Sequence, residues 1–434
     1  MKTVNIGLIG FGTVGAGVVE TILKNGELIG QRTGVLPVLK RIADLDITTD
    51  RGVKVPAELL TTDAMSLIAD PEIQVVVELV GGTGIAKRFV CEALKAGKAV
   101  VTANKALLAK YGEELFALAA ENHTEIYFEA SVGGGIPCIK ALREGLVANR
   151  IHEIYGILNG TCNYILTRME QEQADFGTVL AAAQKAGYAE ADPAADVDGY
   201  DTANKAAILA SLAFGRWFTV DDVDTQGIRD ITIQDIANAA ELGYRIKLLA
   251  VIKDRDGKIE IGVHPSLVPE TSLLGHVSDV FNAVLVKGDI VGDTMYYGRG
   301  AGRAATSSAV VADILDLGLN LNSCCVSRWP AFRQYSGYEK CADNGECLAR
   351  YYIRLQIEDS PGVLAQVSNI FGKNQISLAS VNQKDSGSKS STVPMVILTH
   401  QAVEANVSKA IAEIGKLSCV AMKPVVFRVE NLCD

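Results

Sequence analysis

An apolar run of strand length, Val4-Asn5-Ile6-Gly7-Leu8-Ile9, passes at once into Gly10-Phe11-Gly12-Thr13-Val14-Gly15 and then into the helix-like Val18, Val19, Ile22 and Leu23. Glycines at this spacing let the backbone turn tightly and approach a pyrophosphate, while the helix that follows offers unpaired N–H groups and a positive dipole end. The same spacing can mark a purely structural turn, but strand and helix on either side favour dinucleotide binding. Further β-like runs at Val35 to Ala43, Val75 to Val80 and Ala99 to Thr102 alternate with helical segments ending near Ala69 and spanning 86–96 and 106–121. That alternation predicts an α/β, Rossmann-type domain over residues 1–130, its parallel sheet covered by helices on both faces.

Beyond it the pattern changes. Gly133-Gly134-Gly135, a strand-like Glu153 to Leu158 and helical segments 161–172, 178–186 and 200–214 precede strand-like alternation at Ile246 to Ile252 and Lys258 to Val263 around Asp256-Gly257. Ala283 to Lys287 and Gly292 to Tyr297 continue it, which predicts an α+β domain with an open sheet over 131–299. The apolar helix 303–317 is expected to return to the first domain, completing it with 300–319, and the aperiodic stretch 320–349 reads as a linker. Residues 350–434 run β (350–358), α (361–373), β (376–383), β (392–399), α (402–415), β (420–429), the order of a ferredoxin-like module, with Ser386 to Ser391 as a flexible hairpin loop.

Lys plus Arg number 41 against 51 Asp plus Glu, a net charge of −10 that repels phosphate backbones and excludes nucleic acid as an expected partner. The longest uncharged stretch, Val4 to Val19, falls short of a membrane helix and carries five glycines, so neither a membrane span nor a signal peptide is expected. Nine cysteines without a C-x-x-C pair read as thiols of a reducing cytoplasm, and the five histidines show no metal-ligand spacing.

Three places carry chemistry. At the end of the second strand Lys40 and Arg41 come before Asp44, so a 2′-phosphate can be accommodated and NADP is favoured, with NAD also possible. Lys105, in Val101-Thr102-Ala103-Asn104-Lys105, follows a strand whose carboxyl end should face the cofactor crevice. The densest cluster runs from Gly187 to Lys205, with Glu190, Asp192, Asp196, Asp198 and Asp201 ahead of Lys205. Asp201 and Lys205 share one helix face at i, i+4, and the helix is otherwise apolar, so Lys205 reads as a partly buried acid or base as well as a member of an ion pair. Lys105 nearby would lower its pKa, and the carboxylates would moderate that effect and bind a substrate ammonium.

The glycine turn, Val101 to Lys105, Glu129-Ala130-Ser131-Val132-Gly133-Gly134-Gly135-Ile136-Pro137, Leu158-Asn159-Gly160-Thr161 with Asn163-Tyr164, and the acidic run to Lys205 together resemble the homoserine dehydrogenases over nearly the whole chain. The resemblance implies NAD(P)-dependent interconversion of L-aspartate 4-semialdehyde and L-homoserine. It implies Lys205 as proton donor to the carbonyl oxygen and Lys105 as a contact to cofactor and substrate. The candidate cofactor residues are Gly10, Phe11, Gly12, Thr13, Val14, Gly15, Arg41, Thr83, Lys105 and Gly302, and the candidate substrate residues Gly187, Glu190, Asp196 and Asp201. Glu129, Val132, Gly134 and Ile136 match a family site for sodium or another monovalent cation, made largely of backbone carbonyls. Two positions depart from the family: Cys162 stands where Thr or Ser is frequent, and Ala305 where Pro is common.

The C-terminal module, with Asp359-Ser360-Pro361-Gly362-Val363-Leu364 and Ile376 to Val381, resembles an ACT domain, a small-ligand sensor, which implies feedback inhibition by L-threonine and a homodimer or homotetramer. A non-catalytic nucleotide or amino-acid sensor on the same folds is the alternative. A 2-hydroxy-acid dehydrogenase is disfavoured because a histidine-based catalytic pair is missing.

Overall fold

The computed structural model describes residues 2–323, 325, 328–335, 337–340, 344–383 and 391–432, which fall into two compact units. The first comprises Met1–Gly160, Asp201–Val223 and Val280–Tyr338, the second Thr161–Tyr200, Asp224–Asp279 and Glu339–Asp434.

In the first unit, six parallel strands, β1 (Lys2–Ile9), β2 (Val35–Ala43), β3 (Leu60–Thr61), β4 (Val75–Glu78), β5 (Ala99–Thr102) and β6 (Ile126–Tyr127), lie in the order β3-β2-β1-β4-β5-β6. Helices α1 (Thr13–Thr33), α2 (Ala64–Ala69), α3 (Ile85–Lys95) and α4 (Lys105–Glu121) connect them. This order reverses direction between β1 and β4, which opens a crevice at the carboxyl ends of those two strands. Ile6, Leu8, Val76, Val77, Val100 and Val101 are fully buried, as expected of strands covered on both faces and therefore uniformly apolar. β3 and β6 are two residues long and leave no periodic signal in the sequence.

The helix Arg303–Asn322 packs back on this domain, with Gly318 against Val4 and Val35 and Gly17 of α1 against Arg303. It is long and apolar enough to cross a membrane, yet most of it is buried inside the protein, as in a core helix. The remaining strands of this unit, Ile151–Ile157, Phe281–Gly288 and Gly292–Arg299, pair antiparallel.

The stretch expected as a linker is mostly exposed where described, but two of its aromatic residues make defined contacts. Phe332 meets the rings of Trp217 and Phe116 at 4.9 and 5.5 Å, and the Tyr335 hydroxyl donates to the Ala213 carbonyl at 2.8 Å. The hairpin loop expected at Ser386 to Ser391 lies outside the described residues except for its last residue.

In the second unit, Tyr244–Arg255 and Lys258–Pro269 form a twelve-residue-a-side hairpin turned by Asp256 and Gly257, both at positive φ. The C-terminal module pairs its strands in the order Val425–Val429, Leu348–Glu358, Thr392–Thr399, Leu378–Gln383 and packs the helices Val363–Lys373 and Glu404–Ile414 over Tyr351, Ile353, Leu355 and Ile397. Its last strand also pairs in parallel with the hairpin, Ser266 opposite Arg428 and Leu267 opposite Val429, so one sheet runs through both.

Asp235 pins this join. Its carboxylate accepts from Thr232 (N and Oγ1, at 3.0 and 2.7 Å), the N-cap of helix Ile233–Glu241, closing a capping box, and simultaneously from Arg354 Nε and Nη2 (2.6 and 3.0 Å) and the Tyr352 hydroxyl (3.0 Å) on strand Leu348–Glu358. Asp235 is fully buried, so its removal strands the Arg354 guanidinium in a poorly solvated place. Asp235→Ala is therefore expected to lower stability by about 3 to 5 kcal/mol in chemical denaturation, whereas truncating the exposed Leu45 should leave it within about 0.5 kcal/mol.

Candidate active site

The glycine turn sits at the carboxyl end of β1. A Cβ on Gly15 would lie 2.0 Å from the Gly10 carbonyl oxygen, so only glycine lets α1 start this close to the strand, while nothing lies within 4 Å of a Cβ on Gly12, where a pyrophosphate needs room. Helix α1 begins at Thr13 with no side-chain cap, leaving its first N–H groups, including those of Thr13 and Val14, for an anion.

Beside the turn lies a cavity of about 520 Å3 lined by Gly10, Gly12, Asp44, Leu45, Asp63 and Arg88 among others, a shape suited to the adenosine half of a dinucleotide. Asp44, one residue past β2, accepts from the Phe11 N–H at 2.5 Å and from Asp46 N–H at 2.9 Å, tying the turn to the second strand. Of the two basic residues expected near a 2′-phosphate, Lys40 is engaged by Glu72 at 2.7 Å, and Arg41 is exposed.

On the other side of the crevice, fully buried Glu78 at the end of β4 accepts from Val80 and Gly81 N–H (2.9 and 3.0 Å) and from the Thr102 hydroxyl (2.7 Å). It shapes the turn that carries half-buried Thr83, and Asn104 clamps the same turn by donating to the Gly82 carbonyl at 2.7 Å while capping α4 at Leu107. Sequence reading missed Glu78 and left Asn104 without a role. An acid directly after Val75-Val76-Val77 was the available signal, since a charge ending a buried strand needs partners.

The two lysines meet on one carboxylate. Asp201 and Lys205 stand in the helix Tyr200–Phe214, buried almost all round, and Lys105 opens α4. Lys205 Nζ donates to Asp201 Oδ2 at 2.6 Å and to the Leu158 carbonyl at 2.7 Å; Lys105 Nζ lies 3.0 Å from Asp201 Oδ1; Asn159 Nδ2 donates to Asp201 Oδ2 at 2.9 Å. Burial opposes the charged form of Asp201, but the Lys205 and then the Lys105 ammonium, with the hydrogen bonds from Lys205 and Asn159, outweigh it and hold the carboxyl well below its usual value. An ammonium has three donors. Two of those on Lys205 are committed, and the third has no partner among the described residues.

The glycine hinge, Glu129 to Pro137, is built differently from a carboxylate metal site. Both oxygens of buried Glu129 are taken up, by Ile139 N–H at 2.9 Å and Lys140 N–H at 2.8 Å, and burial pushes its carboxyl up to about 7 against those bonds. Groups available to an ion here are the backbone carbonyls. Those of Val132 and Ile136 accept from Cys138, through its buried thiol at 3.4 Å and its N–H at 2.8 Å, and each keeps a lone pair. Gly134 is at φ +56, and a Cβ there would lie 2.4 Å from the Gly300 oxygen, so the glycine run lets this hinge pack against the turn leading to Gly302. Gly302, at φ +112, precedes the helix Arg303–Asn322, and Ala305 lies against Gly135.

The remaining candidates belong to the second unit. Exposed Gly187 and Glu190 lie in the loop after helix Phe176–Lys185, and half-buried Asp196 lies on the short helix Ala194–Val197. The Cys162 thiol donates to the Asp196 carbonyl at 3.2 Å, a bond a hydroxyl could make equally well. The Thr161 hydroxyl donates to Tyr188 at 2.8 Å.

A dinucleotide-binding sheet whose crevice carries two ammonium groups fixed by one buried carboxylate is the construction of a nicotinamide-dependent dehydrogenase. Family models match residues 10–129 as "Homoserine dehydrogenase, NAD binding domain", 137–315 as "Homoserine dehydrogenase" and 351–416 as "ACT domain". The homoserine dehydrogenase of Neisseria gonorrhoeae is 44% identical, with all of both chains covered. The solved homoserine dehydrogenase of Thiobacillus denitrificans is 43% identical at a TM-score of 0.94, covering 100% of this chain and 99% of that one. A hyperthermophilic archaeal homoserine dehydrogenase solved with NADPH is 27% identical at a TM-score of 0.63, covering 73% of this chain and 98% of that one. The chain belongs to the homoserine dehydrogenase family. It is an oxidoreductase that uses a nicotinamide dinucleotide to interconvert L-aspartate 4-semialdehyde and L-homoserine.

Replacing Asp201 by Asn should cost about 3 to 5 kcal/mol at pH 7, since it leaves the buried Lys205 ammonium without its counter-charge. A carboxyl with a depressed native pKa contributes stability above its unfolded value, about 4, and loses it as pH falls toward the native value. The gap between wild type and Asp201→Asn should therefore narrow below pH 4, which denaturant titrations at pH 7 and pH 3 would measure.

Proposed function

We propose that Lys205 is the proton donor of aldehyde reduction, and the observation that carries this reading is its one unpartnered N–H beside two fixed ones. Asp201 and the Leu158 carbonyl hold the ammonium at a fixed angle, so the remaining N–H is aimed without further ordering when a carbonyl oxygen arrives. When bound, a reduced nicotinamide supplies hydride to the aldehyde carbon; the carbonyl oxygen gains charge, and Lys205 stabilises it and hands over the proton. In the reverse direction the neutral amine of Lys205 takes the hydroxyl proton of homoserine. Lys105, anchored at 3.0 Å to the same carboxylate, adds a second positive charge facing cofactor and substrate.

Gly187, Glu190, Asp196 and Asp201 are the substrate contacts in this reading, Glu190 taking the amino-acid end; the exposed Glu190 carboxylate supports its part. Gly10, Phe11, Gly12, Thr13, Val14, Gly15, Thr83 and Gly302 border the dinucleotide. NADP is the preferred form, with exposed Arg41 for its 2′-phosphate, and Asp44 at the end of β2 keeps NAD usable through the ribose hydroxyls. Sodium or another monovalent cation is held at the hinge by the carbonyls of Glu129, Val132, Gly134 and Ile136. The commitment of the Glu129 carboxylate to backbone N–H groups supports that carbonyl set.

The domains are proposed as 1–130 with 300–319, 131–299, and 350–434 as the regulatory module. L-threonine is the proposed effector and a homodimer or homotetramer the assembly; the exposed edge strand Leu378–Gln383 supports pairing with a second copy. Free thiols at Cys91, Cys138, Cys162, Cys325, Cys347 and Cys419 support a cytoplasmic location.

NADPH oxidation with L-aspartate 4-semialdehyde tests the acid. Lys205→Ala should lower kcat by about a hundredfold to ten-thousandfold with cofactor binding retained. Unchanged turnover in that variant would remove Lys205 from the role, and no turnover by wild type with either NADPH or NADH would favour a sensor.

A further inference from the structure

Strand Tyr244–Arg255 ties the helix Gly160–Glu172 to the segment Ser272 to Asp279 through two basic side chains on one face. Arg245 Nη1 donates to the Gly275 carbonyl at 3.3 Å, and its Nε lies 3.4 Å from Glu170 Oε1. Two residues on, Lys247 Nζ makes the same pair of connections, donating to the Val277 carbonyl at 2.6 Å and to Asn163 Oδ1 at 3.3 Å. Asn163 and Glu170 are seven residues apart, two turns along one face of the helix. Between them the Thr167 hydroxyl accepts from the Asp279 N–H at 3.1 Å.

The two cations are not equivalent. Arg245 is half-buried and has a carboxylate beside it, whereas Lys247 is 2% exposed and makes no ion pair among the described residues. An ammonium buried on neutral oxygens is unfavourable, and methionine would fill the space without that cost. What methionine lacks is a donor, and charge-assisted bonds, about twice as strong as neutral ones, fix two oxygens at one point. Asn163 Nδ2 closes the ring by donating to the same Val277 carbonyl at 3.3 Å. Burial lowers the pKa of Lys247 to about 8; Glu170 from the helix opposes the fall, Arg245 on its own strand adds to it, and Asp279 from the segment opposes it. Ser266, its partner on the neighbouring strand, is uncharged.

The helix fixed in this way holds the substrate loop. In its first turn, directly before Asn163, the Thr161 hydroxyl donates to the Tyr188 carbonyl at 2.8 Å and the Cys162 thiol to the Asp196 carbonyl at 3.2 Å. These bonds grip the loop near both of its ends, so a shift of Asn163 shifts Tyr188 and Asp196 together.

We propose that Lys247 is a positioning residue for substrate binding: its ammonium sets the place of the turn Thr161 to Asn163, and through that turn the place of the loop Gly187 to Asp196. The proposal rests on the reading of that loop as a substrate contact. Lys247 touches no reacting atom, so its effect falls on KM for the amino-acid substrate and leaves the chemical step alone. The anchor is complete while Lys247 is charged, below about pH 8, and weakens as pH rises through that value and a neutral amine takes its place.

Steady-state homoserine oxidation by the full-length protein, from about pH 6.5 to 9.5, tests this in wild type, Lys247→Met, Asn163→Asp and Glu190→Ala. At the lower end Lys247→Met should raise KM for homoserine about tenfold, with kcat and KM for the dinucleotide within about twofold of wild type. The ratio of its KM to that of wild type at the same pH, which cancels every titration the two proteins share, should fall toward one above pH 8. Asn163→Asp gives the ammonium a counter-charge, so its KM should stay low to a pH about one unit higher than in wild type. That variant carries the test if Lys247→Met fails to fold, and a pH dependence identical to that of wild type overturns the proposal. So does an unchanged KM in Lys247→Met, or a KM ratio that does not vary with pH, which would make the side chain a matter of packing. A raised KM in Glu190→Ala beside an unchanged one in Lys247→Met keeps the substrate loop and removes Lys247 from it. An unchanged KM in Glu190→Ala overturns the loop and the proposal with it.

Discussion

One buried carboxylate organises the lysine cluster of the candidate site. Asp201 accepts from Lys205 and Asn159 and faces Lys105, and its negative charge is what allows two ammonium groups to share a poorly hydrated space. Without it the lysines would repel each other, and the Lys205 side chain would lose the anchor that directs its third N–H. Everything around serves this arrangement: the Leu158 carbonyl accepts a hydrogen bond from Lys205, Asn104 starts α4 where Lys105 can reach across, and the helix Tyr200–Phe214 is buried so that neither partner can turn into water.

A second carboxylate does comparable work away from the chemistry. Asp235 completes the capping box of one helix and receives Arg354 and Tyr352 from the C-terminal module, and the strand Val425–Val429 extends the hairpin's sheet into that module. A C-terminal module joined by a continuous sheet and a buried ion pair is poorly placed to swing freely as a body.

Much of the fold was legible because long elements repeat their signal. The run Val4 to Ile9 with the glycine turn, the helix at 200–214 and the βαββαβ order of the last 85 residues all declare themselves through periodicity over six residues or more. The two-residue strands at Leu60–Thr61 and Ile126–Tyr127 did not, since a pair of residues has no period. Nor did the packing of Phe332 and Tyr335 in a stretch that reads as a linker, because aromatic residues among polar ones show no pattern until Trp217 and Ala213 are brought to them.

The sequence by itself determined the element order, the glycine fingerprint, the presence of Lys105, Asp201 and Lys205, and the Asp201 and Lys205 pairing, because i, i+4 neighbours on a helix meet whatever the rest of the chain does. Only the tertiary structure decided that Lys105, 96 positions earlier than Asp201, and Asn159 converge on that same carboxylate, and that Glu78 and Asp44 each accept from backbone N–H groups of turns at the strand ends. The physical reason is locality. Periodicity and helix spacing are fixed by neighbouring residues, whereas the charge balance of a buried site depends on which distant groups share a space without water.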